Sequence, residues 1–175
     1  MTRFLKSLVA IALVGPASLA QAEDPALKEA HQAIGELKRA DPGLSRFFDG
    51  AAGYAVFPTV GKGAIGVGGA HGKGILYEKG VAVGETTLTQ VTVGAQVGAQ
   101  AYTEVIFFET AKSLQDFKKG EFTLAAQVSA VAAAAGASAN AKYVQGVSVF
   151  THAKGGLMAE VSVGGQKFTF RPLPK

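Results

Sequence analysis

The sequence predicts an α+β fold, in which a predominantly antiparallel, strongly bent, glycine-rich β-sheet or partial barrel carries two N-terminal helices and one short helix near residues 111–119. Three observations support this prediction. Two Asp-Pro pairs precede residue 50 and are typical of helix starts. No proline occurs between Pro58 and Pro172, as expected for strands inside a sheet. Apolar residues alternate with polar or small residues over residues 91–105, which is the period of a strand.

Residues 1–22 predict a secretory signal peptide, which does not belong to the fold. Two basic residues precede a run of apolar or small residues at positions 8–20, and Ala20-Gln21-Ala22 is typical of a signal peptidase site. The alternative is an N-terminal membrane anchor. The run is shorter than the roughly 20 residues that span a bilayer, and Gly15-Pro16 interrupts it. We therefore expect cleavage and export to the periplasm or the extracellular space.

The mature chain, residues 23–175, is expected to form a single domain, helical over residues 24–50 and mainly β over residues 53–171. Without the leader it has 15 Lys and Arg residues and 13 Asp and Glu residues, with no long basic run, so we expect no nucleic-acid partner. The chain has no cysteine, which excludes disulfides and an N-terminal lipidated cysteine. We expect a protein that associates with a membrane only peripherally.

Asp24-Pro25 and Asp41-Pro42 each predict a helix start, with Asp as the N-cap and Pro at the first helical position. After the first pair, apolar residues recur at helical spacing. After the second pair, a short helix is expected that ends near Gly50. Residues 112–119 predict a third short helix with two apolar side chains turned inward.

The chain from residue 53 onward predicts mainly β-structure. In the segment 91–105 the apolar residues have odd numbers, so the odd-numbered side chains are expected on the buried face. At about 3.3 Å per residue this strand is too long for a small domain, so we expect a bend or bulge at Gly94 or Gly98. The C-terminal part predicts separate strands joined by turns, at residues 146–152, 157–163 and 167–171.

Residues 122–135 allow two interpretations. Their alanines favour a helix by intrinsic propensity. Leu124, Val128 and the alanines between and after them share one parity, which favours a strand. We predict a strand.

Half of residues 61–74 are glycine, and the first six fit G-x-G-x-x-G, a pattern of dinucleotide-binding proteins. That site needs a helix after the glycines, whereas the further glycines here oppose a helix by about 1 kcal/mol each. We predict instead a strand whose even-numbered face has almost no side chains. Such a face allows close packing of another backbone or helix; the alternative is a groove for an acyl chain or a headgroup.

The glycine-rich stretch and its surroundings also resemble a known family. The similar segments include Gly53-Tyr-Ala-Val-Phe-Pro58, Gly61-Lys-Gly63, Gly66-Val-Gly-Gly69, Gly72-Lys-Gly74, Leu88-Thr-Gln90, Gly94-Ala-Gln-Val-Gly98, Glu104-Val-Ile-Phe-Phe108, Phe117, Gly146-Val147 and Lys154-Gly-Gly-Leu157. Over roughly residues 44–170 they resemble the SYLF domain, which occurs in bacteria and in eukaryotic membrane-trafficking and cortical-actin proteins. The resemblance implies lipid binding, with phosphoinositides as ligands in eukaryotic members and actin binding in some fungal ones. Actin is not expected as a partner of an exported bacterial protein.

The sequence carries no recognisable catalytic motif. It has no cysteine nucleophile and no G-x-S-x-G. Its three histidines, His31, His71 and His152, lack any metal-binding spacing, although the sheet could bring the last two together. Glu104 falls on the polar parity of its strand and is expected to be exposed or ion-paired. We expect no enzyme activity, no cofactor and no bound metal.

Together with the resemblance, these features imply a lipid-binding module of the bacterial cell envelope that binds acidic phospholipids reversibly at a membrane surface. The expected lipid-binding residues are basic and aromatic side chains of the N-terminal helices and the glycine-rich stretch, namely Lys38, Arg39, Phe47, Phe48, Lys62, His71 and Lys73. The alternative is a protein-interaction or envelope-structural module without a lipid ligand. In that case exposed sheet edges or the bare glycine face would receive a protein partner.

Overall fold

The computed structural model describes residues 24–120, 122–124 and 130–174, so the predicted signal peptide lies outside the described residues. Within them the chain forms three α-helices and a sheet of five strands that is mostly antiparallel and not closed. Two helices precede the sheet, and the third follows its first hairpin. This arrangement confirms the predicted α+β class.

The helices lie where the sequence predicts them. Their bounds are Pro25–Ala40 for α1, Ser45–Gly50 for α2 and Ala111–Lys118 for α3, and a 3₁₀ turn at Pro42–Leu44 precedes α2. The Asp24 carboxylate caps α1 by accepting a hydrogen bond from the backbone N–H of Ala26 at 2.9 Å. A capping box at Thr110 begins α3. Side-chain capping therefore marks the starts of α1 and α3, whereas α2 continues from the 3₁₀ turn that Asp41 caps.

Three long strands make up most of the sheet. The strands are β1 (Gly53–Glu78), β2 (Val81–Phe108), β3 (Thr123–Leu124), β4 (Val131–Ala132) and β5 (Val147–Pro172). Their order is β1-β2-β5-β3, and β4 also pairs with β5. The predicted division of the C-terminal part into three strands is wrong, because β5 stays paired with β2 along its whole length.

The strand predicted over residues 122–135 is confirmed only at Thr123–Leu124 and Val131–Ala132. Strand β3 pairs with β5 in antiparallel orientation, whereas β4 pairs with β5 in parallel orientation. The two short strands therefore contact different regions of β5, and residues 133–135 after β4 are not part of a strand. Residues 125–129, between them, lie outside the described residues.

The long sheet curls until its two ends meet. Glu104 of β2 pairs with Thr151 of β5, and Gln166 lies fifteen residues further along β5. A straight strand of that length would span about 50 Å. The side-chain amide of Gln166 nevertheless donates a hydrogen bond to the Glu104 carboxylate at 3.0 Å. Gly94 and Gly98, where the sequence predicts a bend, both have positive φ angles.

The glycines of β1 let this strand pack closely against itself. A Cβ atom at Gly74 would lie 2.4 Å from the carbonyl oxygen of Val56, and one at Gly72 would lie 2.9 Å from the Val60 side chain. Only glycine permits so close an approach of backbone. The bare face of β1 is therefore closed by the strand's own first segment, which favours the packing interpretation over an open groove.

Two hydrophobic cores lie on opposite faces of the curled sheet. The helix core lies between α1, α2 and the sheet and includes Phe47, Phe48 and Phe107. The inner core lies within the curl, is covered by α3, and includes Phe57, Phe117 and Phe168. Each core draws residues from both ends of the long strands, so the curl itself is what completes them.

Strand β2 includes the strand predicted over residues 91–105. Its buried face, however, is the opposite one to that predicted. The odd-numbered Val91, Val93 and Val97 are exposed, whereas Thr92 and Gln96 are buried. The reason is the curl. On its concave side Gly68, Thr92 and Gln96 pack so closely that a Cβ at Gly68 would lie 2.6 Å from the Thr92 hydroxyl. Small and hydrogen-bonding side chains fit there, and the larger aliphatic ones lie on the convex side.

Candidate functional site

Five aliphatic side chains lie exposed on the convex face of the curled sheet. Their exposed fractions are 85% for Ile65, 63% for Val67, 61% for Val91, 62% for Val93 and 58% for Val97. We call these five residues the outer apolar face. Single exposed aliphatic residues are common on soluble proteins, but a contiguous group indicates a binding surface.

Cross-strand pairing makes the outer apolar face contiguous. Ile65 of β1 lies opposite Val97 of β2, and Val67 lies opposite Val93. Residues directly opposite each other in an antiparallel pair have Cβ atoms about 4.5–5.5 Å apart on one side of the sheet. Val91 precedes Val93 by two residues and so lies on the same side. The five side chains therefore form one patch.

A buried polar network holds the strands directly behind this patch. The Thr92 hydroxyl donates a hydrogen bond to the Gln96 side-chain oxygen at 2.8 Å. The Gln96 amide nitrogen in turn donates to the carbonyl oxygens of Gly66 and Thr92, each at 3.0 Å. Gly66 has a φ of 72° and lies at the register shift between Ile65 and Val67. The network thus fixes the bulge from which these two side chains extend outward.

Three exposed basic residues continue the same face of the sheet. Thr89 of β2 lies between His71 of β1 and Lys167 of β5, and Lys73 follows His71 by two residues. All three basic side chains are exposed. Thr89 is two residues from Val91, so about 7 Å separates this rung from the nearest residue of the outer apolar face. We call His71, Lys73 and Lys167 the basic patch.

The structure does not bring Lys62 together with the basic patch. Residues 61–74 are part of β1, in which odd and even positions lie on opposite faces. Lys62 has an even number and is only 9% exposed, whereas His71 and Lys73 have odd numbers and are exposed. Lys62 therefore lies on the concave side of the curl.

Phe47 and Phe48 are core residues. Both are buried, and the Phe48 ring contacts the Phe107 ring edge-on at a centroid distance of 4.8 Å. Phe47 likewise packs on Phe107, at 5.4 Å. Their burial favours the core role over insertion into a membrane.

Lys38 and Arg39 lie at the far end of α1 from the basic patch. Helix α1 approaches Lys73 with its first turn, because Ala26, Glu29 and Lys73 line one cavity. Glu29 and Arg39 are ten residues apart, which corresponds to about 15 Å along a helix. Lys38 instead contacts the core, with its ammonium group 4.8 Å from the centre of a core phenylalanine ring.

Lys167 and the outer apolar face are not among the residues predicted from the sequence. Lys167 is adjacent to His71 only through the pairing of β5 with β2 and of β2 with β1. No local pattern indicates that register. The alternation over residues 91–101 did identify the right aliphatic residues, but alternation alone cannot tell which face of a curled sheet is filled.

Glu104 lies in the interior, so the expectation of an exposed or ion-paired carboxylate is wrong. Its side chain is 1% exposed, and one carboxylate oxygen accepts the hydrogen bond from Gln166. The other oxygen has no hydrogen-bond partner among the described residues. Burial raises the pKa of Glu104 to about 7, even though the Gln166 hydrogen bond lowers it.

Residues 89–172 match a family model named Ysc84, described as Las17-binding protein actin regulator. Over these residues the chain is similar to the Ysc84, or SYLF, family, in agreement with the resemblance seen in its sequence. The matched segment runs from Thr89 of β2 to the end of β5, and it contains Val91, Val93, Val97 and Lys167. No curated protein matches the chain.

Two further observations concern the described part of the chain alone. None of its helices is long and apolar enough to cross a membrane. None of its groups of His, Asp and Glu side chains is arranged to hold a metal ion.

Proposed function

We propose that this chain is a lipid-binding module of the bacterial cell envelope, which binds acidic phospholipid membranes reversibly through the outer apolar face and the basic patch. One observation carries the proposal: five exposed aliphatic residues and three exposed basic residues adjoin on one face of the sheet. Apolar side chains rimmed by cations are the composition of a surface that rests in the headgroup region of an anionic bilayer.

The two parts of this surface would contribute through different interactions. Full burial of a valine or isoleucine side chain stabilises binding by about 1.5–3 kcal/mol, so shallow insertion of several gives a fraction of that for each. Each Lys near an anionic surface adds about 1 kcal/mol, and this contribution weakens as salt is raised. The summed binding free energy of the two kinds of side chain is in the range of reversible rather than permanent attachment to a membrane.

The expected signal peptide would place this surface in the periplasm or outside the cell. The family description names an actin regulator. We do not extend that role to this chain, because an exported bacterial protein does not meet actin. Nor do we propose a nucleic-acid partner, a cofactor or an enzymatic activity.

The test is co-sedimentation of the protein with vesicles of phosphatidylglycerol and phosphatidylcholine, compared with vesicles of phosphatidylcholine alone. One variant carries Val91→Thr, Val93→Thr and Val97→Thr, which keep the side-chain shape and suit a strand. A second carries Lys73→Gln and Lys167→Gln. We expect each variant to bind anionic vesicles about tenfold more weakly than the unmodified protein. A tenfold loss of affinity corresponds to about 1.4 kcal/mol of binding free energy.

Matched controls are available elsewhere on the chain. Val81→Thr changes an exposed valine at the hairpin end of β2, and the double variant Lys119→Gln, Lys142→Gln removes two exposed charges outside the basic patch. Both controls should bind like the unmodified protein. Equal losses in test and control variants would contradict the proposed surface. Failure of the unmodified protein to bind any vesicle would favour the alternative of a protein partner.

A further inference from the structure

A cavity of about 650 Å³ lies between the first turn of α1 and the curled sheet. We propose that it binds the zwitterionic headgroup of an aminophospholipid, in which a phosphodiester and a primary ammonium group are joined by two carbons. The volume is within the range of about 300–1,000 Å³ that is usual for small-molecule sites. It exceeds the headgroup alone and leaves room for the glycerol.

Side chains from one helix and three strands line this cavity. Lys73 of β1 lies opposite Thr87 of β2, which lies opposite Thr169 of β5, so one rung of the sheet presents an ammonium group and two hydroxyls. On the next rung, Glu85 and Arg171 pair with each other across β2 and β5. Glu29 of α1 forms part of the opposite wall.

The charged side chains that line the cavity indicate which kind of ligand it binds. Glu85 and Arg171 form an ion pair and so compensate each other. Lys73 and Glu29 also line the cavity, but neither has an ion-pair partner among the described residues. One cation and one anion, on different walls, are therefore left to interact with whatever enters.

A zwitterion satisfies both of these groups, whereas a simple anion satisfies one. The phosphodiester would accept hydrogen bonds from the Lys73 ammonium group and from the hydroxyls of Thr87 and Thr169. The ligand's ammonium group would donate to the Glu29 carboxylate. A ligand with negative charge alone would meet an uncompensated carboxylate in the same cavity, which opposes its binding.

The position of the cavity links it to the proposed membrane surface. Lys73 belongs both to the lining and to the basic patch, so the cavity adjoins that patch. The inference rests on the proposed function in taking the headgroup from a membrane lipid. A free glycerophosphodiester offers the same chemistry, and the experiment below treats the two sources separately.

The first measurement is an NMR titration of the isotope-labelled protein with soluble glycerophosphoethanolamine. Parallel titrations use glycerol-3-phosphate and ethanolamine, which carry only one of the two charged groups. We expect saturable shifts of the Lys73, Thr87 and Thr169 backbone amides with glycerophosphoethanolamine. Each fragment should bind at least about tenfold more weakly, because it leaves one charged lining group unpaired.

Two single substitutions test the opposite walls. Glu29→Gln and Lys73→Gln should each weaken glycerophosphoethanolamine binding about tenfold or more, since each removes one charge-assisted contact. Both residues are exposed, so the variants should stay folded. Glu36→Gln, on the same helix but outside the lining, should have no effect. Equal binding of glycerol-3-phosphate and glycerophosphoethanolamine, or an equal effect of all three substitutions, would overturn the proposal.

A vesicle measurement separates this inference from the proposed function. Vesicles of phosphatidylglycerol are mixed with either phosphatidylethanolamine or phosphatidylcholine. The unmodified protein should prefer the first mixture, and Glu29→Gln should lose this preference while still binding phosphatidylglycerol. Vesicle binding without preference, combined with no binding of the soluble headgroup, would overturn the cavity alone. Binding of the soluble headgroup without any vesicle binding would support the cavity and overturn the membrane proposal.

Discussion

Glu104 lies where the two ends of the curled sheet meet, and it is enclosed by the inner core. Its ordinary pKa is 4.5, and burial raises the pKa to about 7 in the folded protein. Between these two values the folded state keeps a proton that the unfolded state has lost. The free energy of unfolding therefore falls as pH rises from about 4.5 to about 7, and Glu104 causes no further change above that.

The substitution Glu104→Gln tests this linkage, because it leaves a neutral side chain of the same shape that still pairs with Gln166. The difference in unfolding free energy between variant and unmodified protein should increase by about 3 kcal/mol in favour of the variant from pH 4 to pH 8. Urea denaturation at a series of pH values measures it. The control is Glu109→Gln, which replaces an exposed carboxylate just after β2. A difference that does not change with pH would contradict the buried acid.

At the scale of elements, the bulge of β1 depends on one side chain of β2. Gln96 accepts a hydrogen bond from Thr92 and donates to the carbonyl oxygens of Gly66 and Thr92. The hydrogen bonds between Gln96 and Thr92 are buried, and the one between Gln96 and Gly66 is partly buried. Leaving a buried polar group unsatisfied costs about 1–3 kcal/mol.

Replacement of Gln96 by leucine should therefore lower the unfolding free energy by about 2–4 kcal/mol, since it removes the partners of Thr92 and Gly66 together. The measurement is equilibrium urea unfolding followed by circular dichroism. Gln100→Leu on the same strand is the matched control, because Gln100 is only half-buried, and its effect should be about 0.5 kcal/mol. Similar losses in both variants would show that the network does not hold the bulge.

The elements also show what the sequence could predict. The starts of α1 and of the 3₁₀ turn that precedes α2 follow from Asp-Pro pairs, in which the Asp side chain caps the first turn, and both starts are confirmed. The sequence predicts turns at residues 153–156 and at Gly164-Gly165, because glycines usually mark turns. Pairing with β2 overrides that local preference and keeps β5 continuous. Features that depend on a distant partner strand were therefore missed.

At the scale of the whole molecule, the curl decides which face of the sheet is exposed. Strand alternation separates the aliphatic residues of β2 from the polar ones, but it does not indicate which of the two faces lies on the concave side of a bent sheet. In a sheet that folds onto itself the concave side has little room, so Thr92 and Gln96 fill it and Val93 lies outside. The candidate surface is thus a consequence of curvature. This is why His71 and Lys73 could be predicted from the sequence, whereas Lys167 and the outer apolar face could not.

The curl is tested by two glycines of the same strand. Gly74→Ala would place a Cβ atom 2.4 Å from the Val56 carbonyl oxygen and 2.7 Å from the Phe57 ring, where the opposing backbone cannot yield. We expect a loss of about 3 kcal/mol in unfolding free energy, as for other overpacked sites. Gly63→Ala is the control, because a Cβ there has no atom within 4 Å, and its effect should be about 0.5 kcal/mol or less. Thermal and urea unfolding measure both. Equal stability of the two variants would mean that the ends of β1 do not meet, and the convex face on which membrane binding is proposed would then have no structural basis.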